Sequence, residues 1–277
     1  MMKKNLLLFL LFILSIHAYA DSNYLGNKFW HTDEYGSVCI SEDKIELDDK
    51  VEKGRLYHKN GFDVFAGDSH KYIILEATLL KTQFLYLIKA DDNSKFAYGD
   101  WEMTFLKPGA NCPYTAAKLV PFTVSKAESF ITEKDKAGKE IRYLPENLNL
   151  FSLISNPWAV TKDSNKIIYI NTERWRNPKT KYIPVDDIVI VNGFVFTEKD
   201  YLYEQNSRAK TIKISYSDIS FETQLQDTGN FQVVHLPKSI DPTADNNIKI
   251  EIIDFYPGTK YSDVVISGIY YMDASWK

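Results

Sequence analysis

Residues 248–252 read Ile248-Lys249-Ile250-Glu251-Ile252, apolar and charged in strict alternation. A period of two sets the isoleucines on one face of an extended chain and the charges on the other, so the segment is a β-strand with one face buried. Lys210-Thr211-Ile212-Lys213-Ile214-Ser215-Tyr216 follows the same pattern. Ile188-Val189-Ile190-Val191 is apolar throughout and is expected to be a central strand covered on both faces. Asn192-Gly193, Thr228-Gly229-Asn230 and Pro257-Gly258 supply the residues that tolerate positive or fixed φ, which chain reversals need. Helix-period stretches of useful length are nearly absent. The class is therefore all-β, with strands and turns at the spacing of a sandwich or barrel.

Working outward, the run Pro108-Gly109-Ala110-Asn111-Cys112-Pro113, with Pro121 soon after, divides a small antiparallel β domain over about 21–115 from a second domain over 120–277. Strands in the first are expected at 37–40, 72–79, 84–89 and 95–105. They suit a small antiparallel barrel or half-sandwich, with the strand order left open.

The chain opens with Lys3 and Lys4, continues through an apolar stretch from Leu6 to Ile16, and reaches Ala18-Tyr19-Ala20 before Asp21. A basic start, a short apolar core and small residues at a cleavage position make a secretory signal peptide over 1–20. The core is shorter than the roughly 20 apolar residues that span a bilayer. The mature protein is expected to be exported without a transmembrane segment, to the periplasm, the cell surface or the medium. The first cysteine, Cys39, lies too far along for lipidation. Loss of Lys3 and Lys4 takes the formal charge from −4 to −6, which disfavours nucleic acid and anionic lipid as partners. Two cysteines in an exported chain, Cys39 and Cys112, read first as one disulfide and second as two buried thiols.

Several segments of the second half occur in a recognisable order: Tyr143-Leu144-Pro145-Glu146-Asn147-Leu148, Asn156-Pro157-Trp158, Ile188 to Phe194, Tyr203 to Lys210, Phe221 with Leu225-Gln226-Asp227, and Phe255 to Asp263 with Ile266-Ser267-Gly268-Ile269. On these, the chain from Ser129 onward resembles the NAD glycohydrolase translocation-type, F5/8 type C-like glycan-binding domain. The resemblance implies a discoidin-type, galactose-binding-like β-sandwich and a binding role rather than NAD cleavage. Relatives commonly follow the Pro-Trp pair with Glu-Gly and close on Ile-Ser-Glu-Ile. Here Trp158 precedes Ala159-Val160-Thr161-Lys162, and Gly268 stands in place of the closing glutamate.

Catalytic and metal motifs have competing readings. Gly67-Asp68-Ser69-His70 is superficially like a serine-esterase nucleophile block, but no histidine has an Asp three positions before it, and an exposed turn is the preferred reading. His31, Asp33 and Glu34 with His58 or His70 offer metal-ligating atoms at spacings that match no known helix-based or paired-cysteine site. Asp241, Asp245, Asn246 and Asn247 offer oxygens to a structural calcium, without the EF-hand pattern. No phosphate-cradling glycine loop or dinucleotide fingerprint occurs, so no cofactor is expected.

The aromatic surplus points elsewhere, because sugars stack their C–H faces on flat rings while amides, carboxylates and guanidinium groups reach their hydroxyls. Trp158, Trp175, Tyr203 and Tyr256 lie in or beside expected loops, with Asn206 and Arg208 next to Tyr203. These six are the candidate glycan-binding residues. The structural alternatives are a core or corner role for Trp158 and Tyr256, and a salt bridge from Arg208 to Glu204 or Asp227. The expected function is an exported, non-catalytic carbohydrate-binding protein. An envelope or host-contact module that binds protein is the second reading, and a hydrolase working from the first domain the third.

Overall fold

The computed structural model describes residues 24–31, 37–47, 50–79, 82–90, 101–105, 118–149, 157–172, 184–196, 199–241 and 247–273. Residues 1–20, the expected signal peptide, and Cys112, Trp175, Asp33, Glu34, Asp245 and Asn246 lie outside them.

Eight strands form the N-terminal part: β1 (Lys28–His31), β2 (Ser37–Ile40), β3 (Lys44–Leu47), β4 (Lys50–Lys59), β5 (Phe62–Gly67), β6 (Lys71–Leu79), β7 (Thr82–Ala90) and β8 (Trp101–Phe105). Each pairs antiparallel with the next, and β8 returns to β1, closing a barrel without free edges. Alternation along the strands sorts the side chains. Asp63, Phe65, Tyr72 and Ile74 point inward, and Phe65, Tyr72 and Ile74 join Phe29, Val38, Ile40 and Ile45 in the filling. Phe62, Val64, Ile73 and Leu75 point outward and are nonetheless buried.

Inward polar groups cap the filling. Tyr24 Oη donates to Asp63 Oδ2 at 2.5 Å, and His58 Nδ1 lies 2.9 Å from Asp63 Oδ1. Six residues back on β4, Glu52 accepts from Tyr72 Oη at 2.7 Å and from the backbone of Ser69 and His70.

The second part contains β9 (Lys118–Pro121), β10 (Thr123–Ala127), β11 (Ile131–Lys134), β12 (Glu140–Tyr143), β13 (Trp158–Val160), β14 (Ile167–Asn171), β15 (Val185–Asn192), β16 (Ser207–Tyr216), β17 (Ile219–Gln224), β18 (Phe231–Ile240), β19 (Ile248–Tyr256) and β20 (Val264–Asp273). The main path runs β10-β14-β19-β16-β20-β15-β18, with β9 and β13 on β20 and β17 on β16. This is the expected β-sandwich. Ile212, Ile214, Ile248, Ile250 and Ile252, the apolar halves of the alternating segments, share its core with Trp158, Ile188, Ile190 and Ile266.

The other face of β15 explains its continuous apolar run. Val189 and Val191, with Phe231 and Tyr270, pack against Phe62, Val64, Ile73 and Leu75 on the outer wall of the barrel. The barrel supplies the second cover that the sequence of β15 calls for. Gly268 belongs to this contact, since a Cβ there would meet the Tyr270 ring at 2.4 Å. A glutamate, common at this place in the resembled family, would displace the ring that packs on the barrel.

The β4–β5 turn completes the joint. Asn60 and Gly61 both have positive φ, 57° and 77°, as a tight two-residue hairpin requires. The Gly61 carbonyl accepts from Thr228 Oγ1 at 2.6 Å, and Asn60 O accepts from Gly229 N at 3.0 Å. A Cβ on Gly61 would fall 2.1 Å from Thr228 Oγ1, so only glycine allows this approach.

Candidate functional site

Strand register gathers three connections at one end of the sandwich. Asn192 pairs with Ile266, Val191 with Phe231, Arg208 with Tyr256 and Ser207 with Val264. The β15–β16, β17–β18 and β19–β20 connections therefore meet, and the first contains the single helical turn α1 (Leu202–Gln205).

One half of this end is closed. Arg208 Nε donates to Asp227 Oδ1 at 2.8 Å and Nη2 to Oδ2 at 2.6 Å, while Nη1 donates to the carbonyls of Asn206 and Pro257. The guanidinium lies 5.3 Å from the Tyr203 ring centre, and Tyr203 Oη donates to Asp227 at 3.1 Å. Phe62 of the barrel meets Tyr203 edge to face at 6.2 Å. Burial lowers the Arg208 pKa, but the bonds to Asp227 outweigh it and hold the group above its usual value. Burial, with the charge of Asp227, pushes the Tyr203 phenol well up.

The described members of the expected site take the structural alternatives that the sequence also offered. Trp158 is fully buried in the core, its Nε1 donating to Ser129 O at 3.0 Å. Tyr203 and Arg208 are buried under the barrel turn, and Arg208 forms the salt bridge to Asp227. Asn206 is buried and closes α1, its Nδ2 donating to Leu202 O at 2.8 Å. Tyr256 is half-buried and donates to Leu225 O at 3.0 Å, with Lys210 beside its ring. Their polar atoms serve the fold. Trp175 lies outside the described residues, as does Cys112, so the pairing of Cys39, half-buried on β2, is not placed.

The other half of the end is open and aromatic. Tyr201 and Tyr261 are 46% and 38% exposed. Lys260 Nζ lies 4.8 Å from the Tyr261 ring centre, and the phenols of Tyr261 and, more weakly, Tyr201 hold its ammonium above the usual value. Behind them, Tyr143 from the β11–β12 hairpin meets Phe194 at 6.0 Å, Phe194 meets Phe196 at 6.3 Å, and Lys199 lies over Phe196. Burial, then the charge of Glu133, push the Tyr143 phenol up to about 12. Burial and the same Glu133 raise the Asp263 carboxyl. Flat rings, two carboxylates and two ammonium groups thus converge on one accessible surface. Sequence reading missed it, although Tyr143, Tyr261 and Asp263 all fall within the segments that carry the family resemblance.

The remaining chemical motifs are engaged in structure. Gly67-Asp68-Ser69-His70 is the β5–β6 turn, whose backbone donates to Glu52 while His70 Nδ1 lies 3.1 Å from the same carboxylate. His58 and His70 face different carboxylates, Asp63 and Glu52, instead of converging. Among the described residues no group of three or more His, Cys, Asp or Glu is placed to hold a metal ion.

A discoidin-like β-sandwich, a general binding module, is the class that this architecture defines. Residues 178–272 match the family model of the NAD glycohydrolase translocation F5/8 type C domain, covering β15 to most of β20 and all three end connections. The matched family is a translocation domain rather than a catalytic one. No curated protein matches the chain. Among the described residues no helix is long and apolar enough to cross a membrane.

Proposed function

We propose that this chain is an exported, non-catalytic carbohydrate-binding protein that holds sugar on the open half of the sandwich end. The observation that carries the reading is the exposure of Tyr201 and Tyr261 on connections within the family-matched segment, with Lys260 and Asp263 beside them. Large apolar rings normally lose exposure on folding, and rings left out in the company of donors and acceptors mark a binding surface. Tyr201 and Tyr261 offer apolar faces to sugar C–H groups. The carboxylates of Glu133 and Asp263 accept from hydroxyls, and Lys260 donates to ring or substituent oxygens. Affinity need not be high, since a millimolar site corresponds to only about 4 kcal/mol.

The test is a panel of neutral, acidic and amino glycans presented to the mature chain, with the eluted glycans weighed by mass spectrometry. Retention of at least one class, unchanged in mass, is expected. Cleaved glycans would make the protein an enzyme. Retention of none, with capture of a protein partner, would favour the host-contact or envelope reading instead.

A further inference from the structure

Tyr201 follows Asp200 in the chain, and Asp200 is held by the barrel on three sides. Lys59 Nζ donates to Oδ1 at 2.9 Å, Lys71 Nζ to Oδ2 at 2.8 Å, and Asn60 Nδ2 to the Asp200 carbonyl at 2.8 Å. The carboxylate is only 13% exposed, which strengthens both ion pairs relative to surface ones. Burial pushes the Asp200 carboxyl up, but the hydrogen bonds from Lys71 and Lys59 outweigh it and keep the group below the ordinary range.

From Asp200 the constraint passes through α1 to the second ring. Tyr203 N donates to Asp200 O, and at the far end of the turn Gln205 O accepts from Tyr261 N at 2.7 Å and from Lys260 N at 3.2 Å. Glu204 O accepts from Thr259 N at 2.9 Å and from Thr259 Oγ1 at 3.1 Å. A single four-residue turn has little stability of its own. Its N-cap residue, Tyr201, makes no side-chain capping bond, so tertiary contacts must hold it.

We propose that the N-terminal barrel is the positioning element of the sugar platform: Lys59, Asn60 and Lys71 fix, through Asp200, the α1 turn that carries Tyr201 on one flank and seats the backbone of Tyr261 on the other. This rests on the reading of the open half as the glycan surface. The three barrel residues are positioning residues and reach no sugar. Their effect is to remove the disorder that binding would otherwise have to overcome, which for one or two ring-bearing side chains amounts to roughly a five- to tenfold change in affinity.

The experiment compares the full mature chain with its Asp200→Ala and Lys59→Met variants by hydrogen exchange and by affinity for the glycan that the wild type retains. Faster exchange at 202–206 and 259–261, with the barrel strands unchanged, is expected in both variants. A five- to tenfold weaker affinity should accompany it, shrink in a Tyr201→Ala background, where only the Tyr261 flank is left to position, and be absent in Lys71→Arg. Unchanged exchange in these segments would overturn the proposal. So would a full, additive loss in the Tyr201→Ala background. Exchange needs no sugar, so if the wild type retains no glycan the functional reading falls while the anchoring claim is still decided. If Asp200→Ala fails to fold, Lys59→Met, which keeps Lys71, decides it.

Discussion

Arg208 grips Asp227 with two parallel hydrogen bonds, 2.8 and 2.6 Å, and the guanidinium is the more deeply buried partner, 9% exposed against 39% for the carboxylate. Removing either partner therefore has unequal effects. Asp227→Ala leaves a buried guanidinium with the Asn206 and Pro257 carbonyls and the Tyr203 ring but no carboxylate, and is expected to destabilise by about 2–4 kcal/mol, toward the range for breaking buried pairs. The exposed pair Lys210–Asp254 makes the control, with Asp254→Ala expected to unfold close to the wild-type midpoint because solvent screens the pair. Urea unfolding of the two variants checks the contrast, and equal midpoints would refute it.

Trp158 is fully buried beside Ile266 and Val160, so Trp158→Ala should remove about 3–5 kcal/mol of stability and act on folding, not on sugar retention. Circular dichroism melting would register the loss. A folded Trp158→Ala protein that melts normally but no longer binds would return this residue to the site.

Much of the sandwich was legible because its strands carry one buried face each, and the alternation at 210–216 and 248–252 follows directly from that geometry. The barrel was harder. Strand β4, Lys-Val-Glu-Lys-Gly-Arg-Leu-Tyr-His-Lys, shows a weak apolar pattern, because its inward positions include Glu52 and His58, which hold polar partners at the barrel ends. Of the strand expected over 95–105, the described part is Trp101–Phe105. The burial of Tyr203 was not legible for a physical reason as well. Tyr201 and Tyr203 stand two residues apart on one turn, and nothing local says that the barrel covers the second and leaves the first exposed.

Gly268→Glu restores the residue common in the resembled family, yet here it should open the joint between barrel and sandwich. The new side chain would strike the Tyr270 ring and bring a carboxylate into a largely apolar contact, at several kcal/mol. Limited proteolysis should then release the barrel at protease levels that leave the wild type intact. Full resistance would mean that the contact yields without loss.

Asp263 has its carboxyl raised by burial and by Glu133, so folding favours its protonated form. Such a group contributes stability at pH below its unfolded value, near 3.9, and that contribution disappears as the pH rises through the folded value. Asp263→Asn should therefore raise the melting temperature at pH 7 and change it little at pH 3. Glu52 behaves oppositely. Burial raises its carboxyl, but bonds from Tyr72 and His70 bring it below the usual range, so its contribution is present above the unfolded value and lost as the pH falls through the folded one. Glu52→Gln should thus cost stability at pH 7 and flatten the acid side of the profile. A melting series from pH 3 to 8 covers both.

The central claim is that sugar is held on the open half of the sandwich end, by Tyr201 and Tyr261. Glycan-panel retention of the mature wild type should be compared with that of a Tyr201→Ala/Tyr261→Ala double variant whose melting temperature is matched to it. Both rings are exposed, so the variant should fold normally, and retention should fall at least tenfold for the bound class, or about 1.4 kcal/mol. A well-folded double variant that retains the same glycans as strongly as the wild type would contradict the account.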